Sequence, residues 1–523
     1  MSPFTHGSPY SIWPVTVVVY NLPPWMCMKQ EYFIMPLLIP GPNSPCNDID
    51  VYMQPLIEEL KILWSNGVET YDASTGTKFQ MRAALLWTIS DFPALAMLSG
   101  WSTKGKLACP SCQMNTRSCR LQSKECYIGH RCFLESGHSY RFDTRRFNGQ
   151  CDHSEAPVVP SGFDILEQVN AINVTFGKTP TSTKTIPHDS KHNWRKKSIF
   201  FELPYWRILL LRHNLDGMHI AKNICDSLIG TLLSVQGKSK DNLKARLDLM
   251  KMGIRRELHP IPVQASNSKY LLPAASYSMS KKERHDFLQV LKNVKVPDGY
   301  ASNISRCINL KGGKISGLKS HDCHILMQQL LPIAIRCTNL PRHVCSTIIE
   351  LCNYFRELCS NYNTSEDYER LNKKIPLILC KLEIVFPPAF FDIMVHLCVH
   401  LAEEAKIAGN VKYRQMWAFE RYMGKLKGYI RNRSRPEGSI VEGYIAEECV
   451  TFCSRYLSQH NAAWKRVGRN EDGYEQGESS LSVFRNIGRF LNVPKVCTLC
   501  GDDVKSAHLY VLFNCTEVES YLM

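Results

Sequence analysis

A single aspartate stands where an apolar stretch of the sequence ends. Residues 85–94 read Leu-Leu-Trp-Thr-Ile-Ser-Asp-Phe-Pro-Ala, so that Asp91 follows the apolar run and Pro93 stops it. This pattern is typical of a buried strand that delivers a carboxylate to the edge of a sheet. Clustered carboxylates hold the two divalent ions of sites that cut nucleic acids, and their hard oxygens suit Mg²⁺ or Mn²⁺. A helix cap or a turn before Pro93 is the plainer interpretation of Asp91, and spacing alone favours it.

Sulfur and imidazole donors cluster shortly after this segment. Cys109 and Cys112 form a Cys-x-x-Cys pair, and three further donors follow at Cys126, His130 and Cys132. Zinc prefers four such ligands in a tetrahedron, and a Cys-x-x-Cys turn supplies two of them at a suitable separation. We therefore expect one structural Zn²⁺ bound by the pair and by two of the other three donors. Free buried thiols in a loop-rich segment are the alternative.

Residues 101–146 combine positive charge with aromatic side chains. They contain nine Lys or Arg against three Asp or Glu, an excess of 9 − 3 = +6, with Tyr and Phe interleaved. Basic side chains neutralise phosphates, and aromatic rings stack on bases. The stretch therefore predicts DNA binding through Lys104, Lys106, Arg117 and Arg131. The alternative is a solvated face with ordinary core aromatics.

Two other segments contain histidines that invite a chemical interpretation. His396 and His400 are four residues apart, so on a helix they share a face and could bind a metal. Their apolar surroundings favour satisfied core histidines instead. Residues 320–324 read Ser-His-Asp-Cys-His before an apolar helix, where Asp322 is expected to cap the helix N-terminus.

The composition favours a globular protein with a polyanionic partner. The chain has 523 residues, of which 44% are hydrophobic and 21% charged, and its net charge is +15. That length allows roughly two to four domains, and the basic excess favours nucleic acid as a partner. The sequence has neither a signal-peptide pattern nor an apolar run of about 18 residues, so no membrane partner is expected. The 22 cysteines are therefore expected to be reduced thiols or metal ligands.

Apolar periodicity predicts the elements that would position these residues. Strands are expected at residues 13–20, 31–39 and 79–89 and a helix at residues 48–64, in the order strand, strand, helix, strand. The chain then divides into four parts. They are an α/β core at 10–235 with a Cys/His-rich insert at about 101–200, a basic connecting region at 236–320, a mainly helical domain at 321–460, and a linker with a short C-terminal segment at 461–523.

Several of these segments, in this order, resemble the plant CACTA-type (En/Spm-like) DDE transposases. The resemblance rests on Ser-Gly-Trp-Ser-Thr-Lys-Gly-Lys at residues 99–106, on the Cys-x-x-Cys pair and on Leu-Asp-Gly-Met-His-Ile-Ala-Lys-Asn at residues 215–223. Residues 371–457 resemble the plant domain of unknown function that follows the core in this family. The resemblance implies an RNase H-like α/β core that lacks its first strand, because the strand order matches that fold only from the second strand onward. It also implies a nuclear protein that binds DNA at transposon terminal repeats, with other transposase subunits as further partners.

The same resemblance implies that this chain is catalytically inactive. The family's first Asp precedes a Tyr-Ser-x-Trp-Pro strand, which is present at residues 10–14, but no Asp occurs before Asp48. The family's Glu falls at Ala221, which leaves Asp91 as the remaining carboxylate, with Asp216 and Asp226 nearby as alternatives. We therefore expect an N-terminally truncated or degenerate transposase homologue that does not hold the family's Mg²⁺ or Mn²⁺ pair productively. The alternative is a non-catalytic, zinc-containing DNA- or protein-binding derivative.

Overall fold

The computed structural model describes residues 10–174, 176, 184–185, 193–263, 270–296, 302–456, 498 and 500–514. Of these residues, those within 10–295 and 303–446 belong to one compact unit, and residues 296, 302 and those from 447 onward to a second. The second unit contributes helix α16, Asp502–Asn514, to the described residues. Among the described residues, no helix combines the length and the apolar character that crossing a bilayer requires.

The chain begins with an antiparallel hairpin of two strands. Strand β1 covers Trp13–Val17, helix α1 covers Pro24–Cys27, and strand β2 covers Ile34–Ile39. Trp13 lies opposite Ile39 in the ladder. Both strands expected from the β-branched and apolar stretches at residues 13–20 and 31–39 are confirmed, with shorter bounds.

Helix α2, Ile49–Ser65, confirms the helix expected at residues 48–64. Its buried side chains recur at helical spacing and pack with Ile39 of β2 and with Phe200 and Trp206 from later in the chain. The opposite face of the hairpin packs on other partners, because Phe33 and Met35 belong to a cluster with side chains of residues 418–440. The hairpin is therefore covered on both faces, by α2 on one side and by C-terminal helices on the other.

The prediction of a single strand at residues 79–89 is wrong. Strands β3, Val68–Asp72, and β4, Thr77–Met81, form a local hairpin, and the next strand β5 is only Thr88–Ile89. The turn after β3 is stabilised by Asp72, whose carboxylate accepts hydrogen bonds from Ser74 and Thr75. Pairing within this hairpin ends the strand at Met81, and residues 82–87 have no regular structure.

Helix α3, Phe92–Ser99, follows Asp91, and the Cys/His-rich insert comes after it. The insert contains short elements: β6 Cys119–Arg120, β7 Glu125–Cys126, α4 Ser139–Phe142, α5 Gly162–Asn170, β8 Asn173–Val174 and β9 Lys184–Thr185. Gly100 ends α3 with a φ of +84°, and a Cβ there would lie 2.4 Å from the backbone oxygen of Lys196. The strand that follows the insert, β10 His213–Asn214, leads into helix α6, Gly217–Leu232.

Strand β10 pairs with β5 in parallel, so that His213 lies opposite Thr88 and Asn214 opposite Ile89. All described strands pair two by two, in seven small sheets. The α/β character of this half is confirmed, but the described strands do not assemble into the wider sheet of an RNase H-like core. Strands of two residues offer too few ladder groups to recruit further neighbours.

The connecting region mixes helices and short hairpins. Its elements are α7 Leu243–Met252, β11 Ile261–Pro262, β12 Tyr270–Leu271, α8 Lys281–Asn293, β13 Ile308–Asn309 and β14 Lys314–Ile315. Helix α8 begins with a capping box, in which Ser280 and Glu283 satisfy each other's backbone N–H groups.

The mainly helical segment expected after residue 320 is confirmed. Its helices are α9 Ser320–Ile325, α10 Leu331–Ala334, α11 Arg342–Leu358, α12 Ser365–Val385, α13 Ile393–Ala408, α14 Trp417–Gly428 and α15 Pro436–Tyr456. Helix α12 packs between α11 and α13, and α6 packs against α9 and α13. Because α6 packs against α9 and α13, it shares a core with helices that follow residue 320.

Candidate functional site

The parallel pair of strands aligns two aspartates. Asp91 stands two residues after Ile89, and Asp216 stands two residues after Asn214, the partner of Ile89 in the ladder. The two carboxylates therefore occupy equivalent positions beyond the carboxyl ends of neighbouring parallel strands. Below them, Thr88 Oγ1 lies 2.8 Å from His213 Nδ1. Burial lowers the pKa of His213 to about 3, so this ring is neutral.

Asp91 acts as the N-cap of helix α3. Its Oδ1 accepts a hydrogen bond of 2.8 Å from the backbone N–H of Ala94, and its backbone is extended, as an N-cap requires. The plainer interpretation of this residue, a cap before Pro93, is therefore what the structure has. Its other expected role, as a metal ligand, stays a prediction.

Asp216 is buried and fully engaged by groups of the protein. One oxygen accepts N–H groups from Met218 at 3.1 Å and Met416 at 3.3 Å, and the other contacts His219 Nδ1. The second ring nitrogen of His219 lies 3.3 Å from Glu420. Burial alone would lower the pKa of His219, but its hydrogen bonds to the two carboxylates raise it to about 10. A protonated imidazole therefore lies between two carboxylates beside the strand ends.

Helix α6 carries Ala221, the position at which the resemblance leads us to expect the family's Glu. Ala221 is buried on this helix, and its methyl group has no oxygen to offer a cation. Asp226, the other nearby candidate, is exposed. Asp216 precedes the helix as its N-cap.

The Cys-x-x-Cys pair forms a tight buried turn. The N–H of Cys112 donates to Cys109 Sγ at 3.3 Å, and the N–H of Gln113 donates to the carbonyl of Cys109 at 3.0 Å. The side chains of both cysteines face inward, and neither residue is more than 1% exposed. A turn of this kind places two sulfurs side by side for one ligand.

The pair meets two histidines of helix α13. His400 Nε2 lies 3.3 Å from each sulfur, and His396 Nε2 lies 3.4 Å from Cys112 Sγ. The four donor atoms all lie within 4.8 Å of one another, and all four residues are buried. The sequence favours core histidines at these positions. Their burial agrees with that, but contact of both rings with the thiols is a feature that sequence reasoning missed.

The four donors fit a tetrahedral zinc ion. Zn–S bonds of about 2.3 Å and Zn–N bonds of about 2.0–2.1 Å place sulfur and nitrogen about 3.5 Å apart across a tetrahedron edge. The observed S···N distances of 3.3–3.4 Å are close to that value. Burial would raise the pKa of Cys109, but the hydrogen bond from Cys112 and the two nearby imidazoles hold it well below its usual value. The hydrogen bond with Cys109, together with burial, raises the pKa of Cys112 in turn, so the pair favours one thiolate beside one thiol, and the thiolate is the form that binds metal.

The three other expected ligands lie outside this group of four donors, although the His130 ring is close to it, 5.7 Å from the ring of His396 between centroids. Cys126 packs in a small apolar cluster with Leu121 and Ala389. His130 directs Nδ1 to Glu383 of helix α12, and Cys132 is a buried thiol. Burial raises the pKa of Cys126 to about 12 and that of Cys132 to about 11. The structure therefore brings Cys109 and Cys112 together with His396 and His400, and it does not bring these three into the cluster.

Further contacts fasten the insert to the same helices. Glu383 accepts N–H groups from Gly129 at 2.9 Å and from His130 at 3.1 Å, besides the His130 ring. The N–H of Tyr127 donates to the carbonyl of Phe391 at 2.8 Å, just before α13 begins. The insert is thus seated on α12 and α13 by backbone hydrogen bonds as well as by the Cys/His cluster.

The basic residues of the insert fall into two groups. Lys104 and Lys106 are exposed, whereas Arg117 is partly exposed and forms an ion pair of 2.6 Å with Asp152. Arg131 is 2% exposed, and its guanidinium donates to the backbone and to the side chain of Asn148. Arg131 therefore stabilises the insert from inside, and its charge is not presented to a polyanion.

Comparisons with known proteins match two segments of the chain. Residues 1–172 match the family model described as transposase family tnp2, and residues 358–471 match the domain of unknown function DUF4218. The first segment includes Asp91 and the Cys-x-x-Cys pair, and the second includes His396 and His400. Helix α6 with Ala221 lies between the two matched segments. No match is found among curated proteins or solved structures.

Proposed function

Because a tnp2-type transposase segment is followed by a DUF4218 segment, an arrangement consistent with a plant CACTA-like transposase, we propose that this protein is a DNA-binding transposase homologue that does not cleave DNA. In the CACTA-type family that it resembles, a DDE site with two Mg²⁺ or Mn²⁺ ions cuts and joins DNA at terminal repeats. This chain keeps the DNA-binding role in the nucleus and lacks the chemistry.

The substitution at Ala221 carries the proposal. Two divalent ions held about 3.5–4 Å apart need several carboxylates to balance their charge. Ala221 contributes no oxygen, and Asp216 already accepts two backbone N–H groups and contacts His219. Asp91 alone offers too little negative charge to hold a metal pair against water. The RNase H-like core of the family remains the proposed ancestry of the parallel pair β5 and β10.

The exposed lysines of the insert support DNA binding. Lys104 and Lys106 follow α3 directly and point their charges to solvent. Lysine neutralises phosphates without reading bases, so binding through them is expected to depend on salt and little on sequence. Recognition of terminal repeats would then need further subunits of the same or another transposase.

The test is a cleavage and strand-transfer assay with Mn²⁺ on DNA that carries matched terminal repeats. We expect retarded migration of the DNA without cut or joined products, both for the parent chain and for Asp91→Ala. Cutting by the parent that disappears in Asp91→Ala would refute the loss of catalysis. Absence of any DNA binding would refute the DNA-binding role.

A second candidate function is a non-catalytic, zinc-containing protein-binding derivative. It is favoured by the complete Cys/His cluster, whose four buried donor residues suit a structural zinc ion. The two candidates separate on one measurement, since only the first requires that the purified chain bind double-stranded DNA at low salt.

A further inference from the structure

We infer that Cys109, Cys112, His396 and His400 bind one zinc ion, and that this ion fastens the insert to helix α13. The proposal goes beyond the proposed function, because it assigns a ligand set and a structural role that hold whether or not the protein binds DNA. It also differs from a zinc site confined to the insert, which the spacing of its own cysteines suggests.

The chemistry of the donors selects the metal. Two thiolates and two imidazoles in a buried tetrahedral arrangement suit zinc, whereas Mg²⁺ and Ca²⁺ prefer oxygen ligands. The two histidines stand one helical turn apart, so the backbone of α13 presents both rings on one face. The protein supplies four ligands and all four residues are buried, as expected of a structural site and not of a catalytic one.

The cost of leaving this cluster without an ion supports the assignment. Polar groups buried without good partners lose the free energy of their hydration. Here two thiols and two rings face one another, and a shared cation satisfies all four at once. Neutral core histidines would instead be expected to contact carbonyl or carboxylate oxygens, as His130 contacts Glu383.

The ligands are far apart along the chain, which gives the ion its structural role. Cys112 and His400 are separated by 288 residues, and Cys109 and His400 by 291. The ion therefore joins the segment matched by the tnp2 family to the segment matched by DUF4218. The contacts of Gly129 and Tyr127 with α12 and with the start of α13 lie beside this joint and depend on the insert staying in place.

Zinc content tests the ligand set. We expect the full-length protein to lose one equivalent of zinc in Cys109→Ser/Cys112→Ser and equally in His396→Ala/His400→Ala. Cys126→Ser and Cys132→Ser are matched controls from the same insert and should retain it. Since the sequence has a second Cys-x-x-Cys pair at Cys497 and Cys500, the loss is measured relative to the parent protein.

A conservative variant separates ligation from folding. His400→Cys should keep the zinc that His400→Ala loses, because a thiolate can replace an imidazole at a tetrahedral site. The Co²⁺-substituted His400→Cys protein should show a sulfur-to-cobalt absorption about 1.5 times that of the parent, as expected for three thiolates instead of two. Zinc retained by His396→Ala/His400→Ala, or lost in Cys126→Ser, would overturn the ligand set. A parent protein without zinc would overturn the site altogether.

Hydrogen exchange tests the fastening role. Removal of zinc by a chelator should increase amide exchange together in residues 109–132 and in α13, while α2 and the β1–β2 hairpin stay protected. An increase confined to residues 109–132 would show that the ion stabilises the insert alone, and it would overturn the proposed joint.

Discussion

Two polar clusters of this molecule differ in how their groups are satisfied. At the ends of β5 and β10, Asp91 and Asp216 cap helices α3 and α6; Asp91 Oδ1 accepts the N–H of Ala94, and the Asp216 oxygens contact backbone N–H groups and His219. In the Cys/His cluster, the sulfur and imidazole nitrogen atoms of four buried residues contact one another, and all four atoms lie within 4.8 Å. The carboxylates are stable without a metal, whereas the thiols and imidazoles converge as if around one.

This difference has a physical origin. A carboxylate directly after a strand lies close to the unpaired N–H groups at the start of the next helix. It can therefore stabilise the fold as a helix cap even where no metal is bound. In the Cys/His cluster, Cys109 Sγ accepts one backbone N–H, from Cys112, while both imidazoles contact sulfur. We therefore expect the fold around Asp91 and Asp216 to be stable without a bound metal, and the Cys/His cluster to tolerate the loss of a ligand less well.

Removal of the metal is expected to have the largest effect on the free energy of unfolding. We expect chelation of the parent protein, or Cys109→Ser/Cys112→Ser, to lower the free energy of unfolding by about 4 kcal/mol at free zinc a thousandfold above its Kd. Thermal unfolding monitored by circular dichroism, with and without added zinc, measures this. Ala221→Ser, on helix α6, is the control substitution and should change the free energy of unfolding far less. Equal stability of the zinc-loaded and chelated proteins would contradict the prediction.

A second variant removes the contacts between the insert and helix α12 without changing a proposed zinc ligand. Glu383→Ala would leave the partly buried N–H of Gly129 and the buried N–H and ring of His130 without their acceptor. We expect a loss of about 3 kcal/mol in urea unfolding, with zinc content unchanged. Glu383→Gln keeps an acceptor oxygen and should lose less. If Glu383→Ala released the zinc while remaining folded, the two contacts would not be separable as proposed.

A third prediction concerns the exposed lysines. Lys104→Glu/Lys106→Glu should weaken DNA binding about tenfold at low salt and reduce the slope of log affinity against log salt by about 2. The effect should be the same on specific and random sequences, measured by fluorescence anisotropy. Lys281→Glu/Lys282→Glu, an exposed pair at the start of α8, is the control with the same change of charge. An equal loss in the control would mean that only net charge matters.

The smallest predicted effect is the pH dependence of stability that His219 contributes beside Asp216 and Glu420. The pKa of His219 is raised to about 10 by Asp216 and Glu420, above the ordinary value near 6.5. Its stabilising effect should therefore be complete below about pH 6.5 and disappear as pH rises through about 10. Urea unfolding of the parent and of His219→Asn should differ by about 1–2 kcal/mol at pH 6, after allowance for solvent screening, and converge by pH 10 or above. A difference that does not change with pH would assign the role of His219 to packing.

Local patterns in the sequence predicted local structure well. Helix α2 and the β1–β2 hairpin follow from periodicity, because their apolar residues repeat at the spacing of the element that buries them. The sequence overestimates the length of the strand before Asp91, because β4 pairs with β3 through a turn that the apolar run does not indicate. The charge count of the insert also misleads at Arg131, because composition cannot separate a buried guanidinium from an exposed one.

The candidate site was only half visible from the sequence. The Cys-x-x-Cys pair predicts a metal-binding turn by itself, and the spacing of His396 and His400 carries its own weaker signal. Nothing in either segment indicates that the two meet, because the contact depends on how the insert packs against α12 and α13. Nearby cysteines such as Cys126 were the more obvious partners in sequence and lie in an apolar cluster instead.

The long separation between the ligands also has a consequence for the newly synthesised chain. With the proposed ligand set, the zinc site cannot be completed until the ribosome has added 288 residues after Cys112 and reached His400. At about 5–20 residues per second this interval lasts roughly 15 to 60 s, and the two thiols must stay reduced and unshared throughout it. The insert, although it lies early in the sequence, is therefore among the last parts of the chain to reach its final form.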